Sequence, residues 1–185
     1  IAAVPLSLLL IAPWIMRKKT AIVVWTLAII LGIIAFALVP TVKEKILFRD
    51  FSGAVRLLIW SETTSMLKDH WLLGAGLSGY PATVAAYDTN PAIEIFQYPH
   101  NLFLNIWSEL GLLGLVAFIA IARRSFSLIK SHSFLFAALL EMFLHGLVDV
   151  PYFKNDLSVL TWFLLAMLQY AYYESTCGST SVHHE

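Results

Sequence analysis

The sequence predicts an all-α membrane protein: a polytopic helical bundle with about five transmembrane helices and a large extracytoplasmic loop that carries an amphipathic helix. Three observations carry that expectation. Of the 185 residues, 59% are hydrophobic and only 13% are charged, and the mean hydropathy is +0.76; soluble domains run near half apolar and a quarter charged. Apolar stretches close to the roughly 20 residues that a bilayer crossing needs recur along the chain. Basic residues gather in alternate connections between those stretches, as they do in cytoplasmic loops.

Residues 1–40 read as two transmembrane helices. The first, 1–16, is cut short at its start, and no basic segment or small-residue cleavage site precedes it, so the chain reads as part of a longer protein with further helices upstream. The second is 21–40, joined to the first by Arg17, Lys18 and Lys19. Residues 41–99 form the loop. Residues 100–173 hold three more transmembrane helices, at 102–122, 133–150 and 157–173, with Arg123, Arg124 and Lys130 between the first two of them. Residues 174–185 are a polar tail. Backbone groups in hydrocarbon need partners within their own segment, so each span is a helix. By parity the two basic connections share one side, the cytoplasm, together with the tail. The 41–99 loop and the 151–156 turn then lie outside. Trp14, Trp107, Tyr152, Trp162, Tyr170, Tyr172 and Tyr173 fall near span ends, where interfacial aromatics gather. The formal net charge of zero gives no reason to expect nucleic acid. Cys177 is the single cysteine, so no disulfide forms within the chain.

The loop is long, as functional loops often are. A helix is expected from Ser52, as N-cap, to His70. Val55, Leu58, Ile59 and Met66 share one face, and Leu57, Trp60, Thr64, Leu67 and Trp71 another. Between them runs a polar stripe of Arg56, Thr63 and His70. Such a helix suits a membrane surface, or simply packs on its neighbours with Arg56 solvated; spacing alone favours the second. Gly74, Gly76 and Gly79 then spell the G-x-G-x-x-G of dinucleotide-binding folds. The βαβ context that this motif needs is absent. The glycines read instead as a tight turn, or as backbone amides open to phosphate.

Polar residues inside apolar spans are costly and mark candidate sites. Asn101, Asn105 and Glu109 recur every fourth residue in the third span, and Glu141, His145 and Asp149 do so in the fourth. At about 1.5 Å of rise per residue in antiparallel helices, Asn101 lies level with Asp149, Asn105 with His145 and Glu109 with Glu141. The two stripes are expected to face each other, as a functional seam or as plain interhelical hydrogen bonding. The ligand density of a metal centre is lacking, so no metal is expected. His100 stands at the outer end of the third span, where a neutral imidazole can act as a base and where a helix N-terminus attracts phosphate. The plainer reading is a capping residue.

The runs Arg56-Leu57-Leu58-Ile59-Trp60, Leu73-Gly74-Ala75-Gly76-Leu77-Ser78-Gly79-Tyr80, Pro99-His100-Asn101-Leu102-Phe103-Leu104, Glu109-Leu110-Gly111-Leu112-Leu113-Gly114 and His145-Gly146-Leu147-Val148-Asp149-Val150-Pro151 resemble, in order and spacing, the O-antigen ligase and polymerase family. The resemblance spans residues 20–173. It implies a multi-pass protein of the bacterial cytoplasmic membrane that moves a glycan from an undecaprenyl-diphosphate carrier to an acceptor hydroxyl on the outer side. The acceptor is a glycan or a lipid A-core-like molecule. No cofactor or metal is implied, because the lipid-linked glycan is a substrate. Arg56 would bind the donor diphosphate and His100 would orient or deprotonate the acceptor. Trp60, Asn101, Gly74 and Gly76 would contribute to substrate binding, and a further arginine is expected upstream. Arginine offers phosphate a planar fork, and a departing diphosphate needs its charge stabilised. Two readings of other classes stand beside this one. One is a transporter with Glu109, Glu141, His145 and Asp149 lining its path, which broken spans would favour; the other is a non-catalytic scaffold for envelope assembly.

Overall fold

A computed structural model describes residues 9–10, 12, 16–127, 133–150 and 155–177, all helix or connecting turn with no strand among them. Most of the expected first span, the loop around Lys130, residues 151–154 with Tyr152, and residues 178–185 lie outside the described residues. Among the described residues from 16 onward the α-helices are, in order, α1 (Lys18–Leu38), α2 (Pro40–Ile46), α3 (Phe51–Asp69), α4 (Tyr80–Val84), α5 (Leu102–Ser127), α6 (Ser133–His145) and α7 (Asn155–Cys177), with a 3₁₀ turn, Ala85–Tyr87, after α4. Two of these stretches, Lys18–Leu38 and Leu102–Arg124, are long and apolar enough to cross a membrane; Leu135–His145 and Ser158–Tyr170 are apolar but shorter. α1 exposes Ile22, Val23, Leu27, Ile29, Leu31 and Ile33. A helix apolar all round is stable only inside a protein or in lipid.

The N-cap of α3 lies two residues earlier than the sequence suggests. It is Asp50, whose carboxylate accepts the Gly53 amide, the usual use of an aspartate at that position. The buried side of α3 is also not the expected one. Ile59, Thr63, Met66 and Leu67 are buried, while Leu57 and Trp71 are exposed. Thr63, which reads as part of the polar stripe, is therefore in the middle of the packing face, while His70 of the same stripe is exposed. Thr63, fully buried, donates to Ile59 O at 2.6 Å and so accepts from Tyr80 OH at 2.8 Å. Burial pushes the Tyr80 phenol up to about 12, so it keeps the proton that Thr63 requires. Met66, Leu67, Tyr80 and Val84 form a small core, with Leu104 and Trp107 of α5 packed against it. α3 thus lies alongside α5.

α5 is expected as one continuous span, and it is not continuous. Gly111 has φ 68° and ψ −170°, which breaks the helix. Residues 71–78 occupy the break. The Leu112 amide donates to Leu72 O at 3.0 Å, the Ala75 amide donates to Ser108 O, and the Trp107 indole donates to Trp71 O at 2.7 Å. A Cβ on Gly111 would stand 2.1 Å from Leu72 O, so only glycine admits this approach. α6 is shorter than the expected 133–150 span, ending at His145. α6 and α7 pack through Leu139, Leu165 and Leu168, and α5 meets the end of α6 through Leu102, Ile106 and Val150.

Candidate functional site

A helix ends with carbonyl groups that lack partners inside it. In α6 the last carbonyls accept the amides of residues 146–149, and three successive carbonyls of that turn each hold a different part of the chain. Gly146 O accepts the Leu102 amide at 2.7 Å. Leu147 O accepts Asn101 Nδ2 at 2.9 Å. Val148 O accepts Arg56 Nε at 2.8 Å. The next residue, Asp149, meets His100, with Oδ1 3.1 Å from the ring Nδ1. The 146–149 turn therefore joins the start of α5 to α3. The negative end of a helix, about half a charge, favours a cation such as Arg56 beside it.

Arg56 is held on one side only. Its Nε serves Val148, and its Nη1 serves the carbonyl and the hydroxyl of Ser52 one turn back. The two Nη2 protons have no partner among the described residues. His100 has φ 48°, a left-handed backbone that is uncommon outside glycine. Its ring stands edge-on to Phe96 and Tyr98, with centroids at 5.2 and 4.8 Å. A carboxylate only accepts, so His100 Nδ1 carries the proton toward Asp149 and Nε2 presents a lone pair. Nε2 has no partner among the described residues. For Asp149, burial alone would raise the carboxyl. The Val150 amide, the His100 bond and the charges of His100 and His145 outweigh it and hold the group below its ordinary value of 3.8.

Other expected site residues have structural tasks. Trp60 donates its indole N–H to Pro99 O at 2.9 Å and packs against Phe48, which ties α3 to the segment before His100. Asn101 caps α5, its Oδ1 accepting the Phe103 and Leu104 amides. The phosphate role expected of the glycine turn has no donor at Gly74, whose amide is bonded to His70 O at 2.8 Å and whose Cα lies tight against the Ser108 backbone. Gly76, at φ 82°, stands in open space.

The two polar stripes meet at one end only. Asn101 and His100 reach the 147–149 turn, but Glu109 turns to the glycine segment, with Oε1 3.4 Å from the Ser78 amide. The Gly111 break lets that segment in beside Glu109, where the sequence expects Glu141. Glu141 and Asp149 flank His145 at 3.9 Å each. Asn105 is buried, and its Oδ1 has no partner among the described residues. Sequence reasoning missed Ser52 as the support of Arg56, since it reads as a cap; its position four residues before Arg56 is the available signal. Phe96 and Tyr98 were also missed as walls for His100, though they stand beside it in the chain.

The O-antigen ligase family model (Wzy_C) matches residues 1–119. That range contains Arg56, Trp60, the glycine turn, His100 and Glu109, while Glu141, His145 and Asp149 lie beyond it. No curated protein and no solved structure matches the chain. With well over half of its length matched, the chain belongs to the O-antigen ligase family, membrane-associated enzymes of O-antigen and polysaccharide assembly.

Proposed function

We propose that the protein transfers a glycan from an undecaprenyl-diphosphate carrier to an acceptor hydroxyl at the outer face of the bacterial cytoplasmic membrane. The observation that carries this reading is the shared turn. His100 and Arg56 bond to adjacent residues of one turn, Asp149 and Val148, and each keeps a polar atom without a partner among the described residues. A base and an anion-stabilising cation side by side suit displacement of a diphosphate. The acceptor O–H gives its proton to His100 Nε2, and its oxygen forms the new bond to the anomeric carbon. The bond from that carbon to the diphosphate oxygen breaks, and its electron pair leaves with the polyprenyl diphosphate. Arg56 Nη2 stabilises the charge that develops there. Asp149 fixes the imidazole tautomer and stabilises the imidazolium, a positioning role.

In this reading α1, α5, α6 and α7 cross the membrane together with the first span expected from the sequence at 1–16. The 41–99 segment lies outside, and the basic connections lie in the cytoplasm. The acceptor is a glycan or a lipid A-core-like molecule. Ligation and polymerisation differ only in that acceptor.

Arg56→Ala is expected to weaken binding of the lipid-linked donor to membranes as well as transfer. Arg56→Lys keeps the charge but loses the two-sided geometry that lets one guanidinium grip Val148 and phosphate together, so it recovers only part of both. Unaltered donor binding in Arg56→Ala contradicts the role given to Arg56.

A further inference from the structure

Residues 71–77, Trp-Leu-Leu-Gly-Ala-Gly-Leu, carry no charged side chain. They form the tip of the unit that α3 and α4 build beside α5. Their backbone is not helical, and three of its polar groups are directed at α5: Leu72 O to the Leu112 amide, the Ala75 amide to Ser108 O, and Trp71 O to the Trp107 indole. The side chains are left outward. Leu73 and Leu77 are 77% and 75% exposed, and Trp71 and Leu72 about half so. The Leu72–Leu112 bond brings this tip to the turn of α5 that also exposes Leu110 and Leu113.

We infer that residues 71–77 are a membrane-inserted tip whose exposed side chains sit among the acyl chains of the bilayer that α5 crosses. The inference rests on the reading of α5 as a spanning helix. Irregular backbone enters hydrocarbon only where protein satisfies its polar groups. α5 takes Trp71 O, Leu72 O and the Ala75 amide, so the tip's backbone stays at the interface and its exposed side chains alone reach the acyl chains. The tip is shallow, because Lys68, Asp69 and His70 stand exposed just before it and stay at headgroup level. Trp71 and Trp107, joined by a hydrogen bond, mark the boundary as interfacial tryptophans do.

That boundary changes where the site sits. From Trp107 to Ala122, the residue before Arg123 and Arg124, α5 rises about 22 Å at helical rise, a short span that a bilayer with a hydrocarbon core of about 30 Å accommodates by local thinning. From Leu102 to Trp107 it rises about 8 Å, close to the depth of one headgroup layer of about 5–8 Å. Asn101 and the His100–Asp149–Arg56 site then stand at the level of lipid phosphates, where a carrier's diphosphate lies, and the tip fixes that height.

The test is spin-label accessibility in vesicles of phosphatidylethanolamine and phosphatidylglycerol. Cysteine is placed singly at Leu73, Leu77, Lys68 or Leu113 in a Cys177→Ser background, and relaxation by oxygen is compared with relaxation by a water-soluble nickel chelate. Labels at Leu73, Leu77 and Leu113 are expected to favour oxygen, and the label at Lys68 nickel. Nickel-favoured labels at Leu73 and Leu77, with Leu113 favouring oxygen, overturn the tip and leave the span intact. A nickel-favoured Leu113 overturns the span and the tip with it. Labels at Leu73 and Leu77 shielded from both reagents show protein covering the tip and also overturn it.

Discussion

Asp149 accepts both the Val150 amide and His100 Nδ1, so its carboxylate holds the turn and the imidazole together. Its folded value lies below its ordinary one. A carboxyl shifted in that direction stabilises the folded arrangement above the unfolded value and loses the contribution as pH falls through the folded value. Hydrogen exchange at the Val150 amide is therefore expected to stay slow through the ordinary carboxylate range and to quicken only below pH 3.8. Asp149→Asn should remove that acid transition; an unchanged transition in Asp149→Asn would assign it to another group. Asp149 is legible in the sequence as a polar residue inside an apolar span, which is expensive to keep there, and His100 as a histidine at the outer end of one, whereas Arg56 is marked only by the family resemblance. What each one bonds is not legible. The partners of Arg56 and Asn101 include the Val148 and Leu147 carbonyls, and every residue type has a carbonyl, so composition cannot mark these two as special. The pairing of His100 with Asp149 is one residue out of the register that helix rise suggests, because α6 has already ended and the turn shifts the carboxylate.

The elements follow from apolar periodicity, and α1, α3 and α5 fall close to where it puts them. The break in α5 does not. Gly111 and Gly114 read as small residues for close helix packing, and what makes Gly111 different is the Leu72 carbonyl, brought in from a distant part of the chain. The burial of Thr63 is hidden for a related reason, since its hydroxyl is satisfied by Tyr80 from the return of the same loop. The glycines give a graded test of the docked segment. Gly111→Ala forces a backbone that only glycine adopts readily, about 1–3 kcal/mol, and also sets a Cβ 2.1 Å from Leu72 O. Gly74→Ala sets one 2.3 Å from Ser108 O. Gly76→Ala meets nothing within 4 Å, leaving a left-handed backbone cost of about 1–2 kcal/mol. Thermal unfolding in detergent should place Gly111→Ala and Gly74→Ala below Gly76→Ala. Three equal midpoints would mean that the segment is not docked on α5.

At the scale of the whole molecule, the account joins a membrane plan to a single reaction site. The plan makes Thr89 extracytoplasmic and Lys18 cytoplasmic. A cysteine at Thr89 in a Cys177→Ser background is expected to react with an impermeant maleimide added to intact cells, and one at Lys18 only after permeabilisation; the reverse pattern would invert the topology. The site is a property of the whole chain, because α3, the segment before α5 and the turn after α6 each supply one part. The most direct test of a shared site compares two readouts on His100→Ala protein in membranes: equilibrium binding of the lipid-linked donor and single-turnover transfer of its glycan. Removal of a general base is expected to slow transfer by about 10²–10⁴-fold while donor binding, which rests on Arg56, is retained. Transfer at the unmodified rate in His100→Ala would contradict the account.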